Sequence, residues 1–342
     1  MKLLAFLHLL FAPLLWANEV SFKGRLSEWQ KFQVNAGSSS FILGLEYESS
    51  DKIILADLVD PQGKAWIRSN IGQPSESRIP PEVDTAFKSL IRSNYSTVGL
   101  GSVLISNSSR EKTIEAGTWK YRLGTISKSE SLKTIDVQLL SKVANAKEQV
   151  LSLEFDLFYD PAFTKLNELE IILDDVKSVY RKGMIEVQFH LIEKTFTQND
   201  ISNSLDDVVY RLQMGRRQNP SISLIPHHGE SGKDFQGFAG CLPGFIPQNS
   251  DKHCELAIRY LDHQKLDLKK FSKVVAHEMG HFFGLFHLED DYYPFGKLRD
   301  PIEDTDMNNE ELNVMHKTSD RFGDIEFTPG QFDIMRRHPL LN

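Results

Sequence analysis

The chain has 342 residues, of which 40% are hydrophobic and 25% charged, a balance typical of globular protein that excludes the disordered and fibrous classes. Its net charge of −8 comes without a long basic run, which argues against nucleic acid or an anionic membrane surface as a partner. A chain of this length favours two domains over one.

The first element in chain order is Lys2 followed by a mainly apolar run from Leu3 to Trp16, closed by Ala17. This is the pattern of a signal peptide over residues 1–17, with the cut after Ala17. It implies export: a secreted, extracellular protein, or a periplasmic one in a Gram-negative bacterium. A membrane span is not expected, because about 20 apolar residues are needed to cross a bilayer. The alternative is an N-terminal core helix or strand.

From Val20 to about Leu140, short apolar-polar alternations are broken by turn residues. Phe41 to Tyr47, Ile53 to Val59 and Trp119 to Leu123 are such runs, with Asp60-Pro61-Gln62-Gly63 and Ala116-Gly117 as punctuation. An all-β sandwich over residues 18–145 follows. The polar stretch from Ser141 to Glu148 lacks periodicity and marks the boundary.

The second domain, residues 148–342, has a different pattern. Val150 to Phe158 reads as a strand, and Leu169, Ile172, Leu173, Val176 and Val179 then recur at helical spacing, with Gly183 placed to stop the helix. Ile185 to Ile192 reads as a strand carrying His190, which is expected to be an ordinary buried or edge histidine. A second helical pattern covers Leu205 to Leu212, and a strand Ser221 to Ile225. Helices alternating with strands make this an α/β unit.

Cys241 and Cys254 are the only cysteines. Export would let them form a disulfide closing a loop of roughly a dozen residues, worth perhaps 3 kcal/mol in a chain-entropy account. Two reduced thiols, or a thiol that blocks the metal in a latent form, are the alternatives.

The strongest signal is His277-Glu278-Met279-Gly280-His281-Phe282-Phe283-Gly284-Leu285-Phe286-His287, which fills every fixed position of H-E-x-x-H-x-x-G-x-x-H. Asp267 can cap a helix through Phe271, Val274 and Val275, so His277 and His281, four residues apart, project from one face. His287 can join them only if the helix ends first. Gly284 supplies that ending, since it adopts a left-handed conformation without a side-chain penalty. Three histidines leave one position of a tetrahedral Zn2+ shell open for water, as catalytic zinc sites do. Glu278, beside the first ligand, is then placed as the general base. An exposed helical Glu with paired surface histidines is the weaker account.

With this motif in view, residues 150–342 resemble a metzincin zinc metallopeptidase, and most closely the pappalysin-like branch with its secreted bacterial relatives. The resemblance implies a metzincin-type zincin fold and a secreted metalloendopeptidase acting on protein or peptide substrates. It implies a methionine turn under the metal, which Asn313-Val314-Met315-His316 fits, with Met315 as the apolar floor. Gly237 to Pro243 resembles the family's edge strand along the cleft, which would bind substrate by strand addition. Glu255 to Leu261 would be the inner strand leading to the zinc helix.

Asp300-Pro301-Ile302-Glu303-Asp304-Thr305 resembles the family's acidic phrase, whose Asp residues could structure the loop or hold Ca2+, with a solvated acidic loop expected ahead of both. Phe327 to Phe332 resembles the final helix entry, with Thr328 as cap, Pro329 at the first helical position, Gln331 reciprocating and Phe327 stapled to Phe332. Leu58 to Gly63, with Gly117 to Leu123, resembles the accessory sandwiches beside secreted bacterial peptidases.

Two features depart from the family pattern. Lys317 stands two residues after Met315, where many metzincins have a tyrosine that helps to stabilise the oxyanion; that task would fall to zinc, backbone donors, Lys317 or His316. The family's thiol-switch propeptide motif is absent. Residues 18–145 are therefore expected to be an accessory domain, with a removable prodomain as the alternative. The competing functional reading is a secreted binding or adhesion protein that uses the sandwich, with the zinc fold as an inactive scaffold. An intact Glu278 argues against it. The sequence sets neither the substrate nor the oligomeric state.

Overall fold

A computed structural model describes residues 14–47, 53–68, 91–94, 99–106, 113–125, 133–143, 149–197, 199–200, 212, 217–227, 235–239, 243–248, 253–261, 267–292, 296–300, 302–305, 312–317 and 326–342. The helical pattern expected at 205–212 lies outside them except for Leu212. Among the described residues, no helix is long and apolar enough to cross a membrane.

Two antiparallel sheets come first. One contains β1 (Leu14–Val20), β5 (Ser38–Tyr47), β8 (Ile91–Asn94), β9 (Leu100–Ser106) and β11 (Lys133–Val143), in the order β1-β11-β5-β9-β8. The other contains β2 (Phe22–Lys23), β3 (Leu26–Ser27), β4 (Gln30–Val34), β6 (Ile53–Val59), β7 (Ala65–Arg68) and β10 (Gly117–Thr125), with β10 central to the pairing. Alternate residues of both sheets, among them Phe32, Phe41, Leu43, Leu45, Val103, Trp119, Tyr121, Ile135 and Val137, close a common core. Each such fully buried large side chain contributes about 1.5–3 kcal/mol relative to exposure.

Two strands bear on the expected boundaries. β1 begins before Ala17 and pairs with β11 from Leu14↔Leu139 to Val20↔Lys133, so a cut after Ala17 would leave Asn18, Glu19 and Val20 of that strand. β11 runs on to Val143, past the point where the sequence loses its alternation, because Ser141, Lys142 and Val143 still pair with Phe41, Ser40 and Ser38.

The third sheet is mixed. β12 (Leu151–Tyr159), β13 (Ile185–Glu193), β14 (Ser221–His227), β15 (Phe235–Ala239) and β16 (Glu255–Leu261) lie in the order β13-β12-β14-β16-β15. All pairs are parallel except β15, which runs antiparallel to β16 at the edge. Helix α1 (Leu166–Arg181) makes the crossover from β12 to β13 and buries Leu169, Ile172, Leu173, Val176 and Tyr180. The left-handed residue after α1 is Met184 (φ 55°) and not Gly183. Gly183 is there for clearance: a Cβ on it would lie 2.0 Å from the Phe332 ring.

Helix α2 (Leu268–Phe282) packs against α1 and the mixed sheet, and Asp267 caps it by accepting from Lys270 N at 3.1 Å. Helix α3 (Pro329–Arg336) starts with a capping box between Thr328 and Gln331, and the Phe327 and Phe332 rings meet at 5.5 Å. A hairpin of β17 (Glu289–Tyr292) and β18 (Gly296–Arg299) follows α2.

The first sheet is covered on both faces. Every residue of β5 is buried, and Ile42, Leu100 and Leu104 on its outward side belong to the same core as Phe245, Phe282 and Phe283. His338 sits fully buried at this junction, with Nε2 donating to Gly244 O at 3.0 Å and Nδ1 accepting from Leu340 N at 3.4 Å. The contact at Nδ1 needs the neutral ring, and burial with the nearby Lys142 charge pushes its pKa down to about 3. The unfolded chain therefore takes up a proton that the folded state refuses between about pH 6.5 and 3, and stability is lost as pH falls through that window. Comparing urea unfolding of the wild type and His338→Gln at pH 7 and pH 5 should show the variant losing less stability, by about 1.4 kcal/mol per pH unit below 6.5. Equal losses would remove His338 as the cause.

Candidate metal centre

The zinc-motif histidines converge. His277 and His281 project from successive turns of α2, and the chain turns back after the helix to bring His287 to them. The return is built by Gly284 (φ 98°): Gly284 N donates to His281 O at 2.9 Å and Leu285 N to Gly280 O at 3.0 Å, the paired closure of a Schellman motif. His277 Nε2 and His281 Nε2 each lie 3.1 Å from His287 Nε2.

The remaining ring nitrogens fix the tautomers. His277 Nδ1 donates to Val314 O and His281 Nδ1 to Leu285 O, each at 2.8 Å. With Nδ1–H engaged by a backbone carbonyl, each Nε2 presents a lone pair to the shared point. Burial and the neighbouring His287 push the His277 pKa down to about 3, which keeps that ring neutral. Tetrahedral zinc with Zn–N bonds of about 2.0–2.1 Å would set ligand nitrogens roughly 3.3 Å apart, so the donor set fits the ion in type and spacing. Among the described residues this is the only group of three or more His, Cys, Asp or Glu gathered closely enough to hold a metal. The Ca2+ alternative has no such group there.

Met315 lies under the helix, its Sδ 2.5 Å from where a Cβ on Gly280 would stand. The turn around it is held by Asn313, whose Oδ1 accepts from Met315 N at 2.8 Å and whose side-chain amide exchanges hydrogen bonds with Gln331 of α3. Leu288 N donates to Met315 O at 3.3 Å, tying the strand after His287 to the same turn. The carbonyl that orients His277 is therefore on the methionine turn itself. Nothing in the motif announces that role for Val314.

Glu278 is buried on the side of α2 that faces β15. A Cβ on Gly237 would stand 2.1 Å from Glu278 Oε1, so the carboxylate rests on the edge strand where that strand has no side chain. Sequence reasoning placed Gly237 on the cleft strand without seeing this contact, and a pattern of separate motifs carries no signal for it. Lys317 is exposed and His316 half-buried. His190 lies on β13, the opposite edge of the sheet from β15, with its ring 3.4 Å from Asp156.

The acidic phrase is solvated only in part, with Glu303 and Asp304 exposed, and its two Asp residues structure it. Asp300 is buried and accepts from Thr305 Oγ1 and Ile302 N, while Asp304 accepts from Thr328 Oγ1 at 2.7 Å and Gly330 N at 2.8 Å. Two carboxylates thus serve as hydrogen-bond acceptors for a turn and a helix start, and burial raises the Asp300 pKa to about 7. Cys254 is disulfide-bonded at the start of β16, and the chain's only other cysteine, Cys241, lies outside the described residues.

No protein-family model and no curated protein matches the chain. Among solved structures it is similar to metalloproteinase-II from Bacteroides fragilis, at 16% identity and a TM-score of 0.31, over 52% of this chain and 59% of that one. It thus spans little more than half the length of that protein. The archaemetzincin of Methanopyrus kandleri overlaps it at 13% identity and a TM-score of 0.29, over 55% of this chain and 88% of that one. A chain from a chaperone-substrate complex overlaps at 10% identity and a TM-score of 0.31, over 64% of this chain and 43% of that one. Overlaps this loose leave the chemistry to be read from the site's own residues.

Proposed function

We propose that the chain is an exported zinc metalloendopeptidase of the metzincin type, in its pappalysin-like branch, that hydrolyses peptide bonds of protein substrates. The observation that carries this reading is the approach of three Nε2 atoms to 3.1 Å of one another in pairs through His287, with Glu278 buried beside them against the edge strand. Zinc, when bound, supplies a Lewis acid that makes water acidic near neutral pH and polarises a carbonyl. His277, His281 and His287 would hold it as neutral donors.

The protein's residues perform the rest. β15 is the edge strand of its sheet among the described residues, and an extended peptide adds to it as a further strand and so lays its backbone along the cleft. Glu278 takes a proton from the attacking water and delivers it to the amine nitrogen as the peptide bond breaks. Gly237 sets where that carboxylate stands, so Gly237→Ala should lower kcat by about 10²-fold, the scale on which a 1 Å misplacement acts, with zinc content unchanged. Metal analysis alongside steady-state kinetics checks this, and a variant with wild-type kcat would show that the contact has no part in positioning the base.

Digestion of a broad peptide library by purified protein tests the function itself. Cleavage at backbone amides with a reproducible sequence profile is expected. A preparation that holds one zinc per chain yet cleaves nothing would instead favour the binding or adhesion reading.

A further inference from the structure

On β5 and β9, the outward face of the first sheet is made mostly of small and apolar residues where a free sandwich would carry charge. Ser40, Ile42 and Gly44 on β5 and Ser102 and Leu104 on β9 are all buried. What covers them is the segment that continues from the cleft and the turn that ends the zinc helix. The Phe245 ring lies on Gly44, where a Cβ would meet it at 2.7 Å. Ser102 Oγ donates to Pro243 O at 2.7 Å, and Glu46 Oε1 accepts from Gln248 N at 2.8 Å.

Leu104 closes the other side. Its Cδ2 stands 2.5 Å from where a Cβ on Gly284 would be, directly beneath the left-handed residue that returns the chain toward His287. Further along, Ser40 Oγ donates to Arg337 O and Lys142 Nζ to Leu341 O, which joins the same sheet to the segment after α3. Separation would expose Ile42, Leu100, Leu104, Phe245 and Phe283 together, and the two charged groups on this face, Glu46 and Lys142, are buried and spent on backbone partners in the covering segments. That composition is the mark of a permanent interface rather than of one meant to part.

We propose that the N-terminal sandwich is a permanent part of the zinc-site framework and not a removable prodomain, with Gly44, Ser102 and Leu104 as positioning residues for residues 243–248 and for the turn that carries His287. The proposal rests on the metal-site reading only where it names that turn. The Phe245 ring pressed on Gly44 and the helix end pressed on Leu104 transmit any shift of the first sheet to residues 243–248 and to the turn that carries the third ligand.

The test uses the full chain with a specific protease site replacing residues 144–148, cut after folding. The two pieces are expected to co-elute in native buffer and to part only in denaturant, with one zinc per pair. In uncut protein, Gly44→Leu should raise the rate of zinc loss to a competing chelator at least tenfold, while Trp29→Ala, at an exposed position of the sandwich, should not change it. Pieces that separate in native buffer, with the C-terminal one keeping wild-type zinc retention, would overturn the proposal, as would a Gly44→Leu protein indistinguishable from wild type. A wild-type chain that takes up no zinc sinks the metal reading instead, and elution of the cut pieces still decides whether the sandwich stays.

Discussion

Glu278→Gln is expected to cut peptide hydrolysis by about 10²- to 10⁴-fold, the usual contribution of a positioned acid–base group, while leaving one zinc per chain. The substitution keeps the shape of a side chain that is buried against Gly237 and removes only its capacity to take a proton. Since the three histidines are untouched, metal content and unfolding midpoint should match the wild type. Activity measured on the library substrates, with metal analysis on the same samples, separates the alternatives. If the variant cleaves as fast as the wild type, the base is some other group and the proposed chemistry is wrong.

Zinc removal should have a second large effect, on stability as well as on activity. Three imidazoles in two fixed tautomers and one returning strand are arranged around a single point, and a ligand that binds only this folded arrangement stabilises it by mass action. At free zinc about a thousand times its dissociation constant, that is worth about 4 kcal/mol. Thermal unfolding after exhaustive chelation should therefore move to lower temperature and return when zinc is added back, in step with peptidase activity. A chelated protein that unfolds at the same temperature and still cleaves peptides would exclude the metal from both roles.

Much of the site could be read from the chain because its determinants are local. A helix of known period fixes His277 against His281, and Gly284 is needed to end it, so one stretch of residues carries most of the geometry. The cap at Asp267 and the Thr328–Gln331 box are local for the same reason. What escaped the sequence depends on residues far apart in the chain. Ser40, Ile42 and Gly44 lie on the side of β5 that alternation would assign to solvent, and only the arrival of Phe245 and Arg337 reveals why these positions are small or apolar. The acidic phrase is a mixed case: Glu303 and Asp304 are exposed as a hydrated run would be, while the choice of Asp at 300 and 304 becomes clear only when Thr305, Thr328 and Gly330 are seen to donate to them.

Gly183 stands just past the end of α1 as expected, but for a reason that chain order hides. A glycine just past a helix suggests a reversal of backbone hand, yet the reversal falls on Met184 and the glycine makes room for an aromatic ring of α3. Chain order distinguishes these two uses of glycine poorly, because the second depends on a neighbour some 150 positions away.

The bond at Cys254 bears on fidelity of alignment in the cleft. Cys254 stands two residues before Leu256, which pairs with Ala239 in the antiparallel register. A bond at Cys254 ties down the start of β16, the strand against which β15 keeps its register, and a one-residue slip of β15 would invert every side chain along it and carry Gly237 off the carboxylate. A peptide drawn in beside β15 would be aligned by that register.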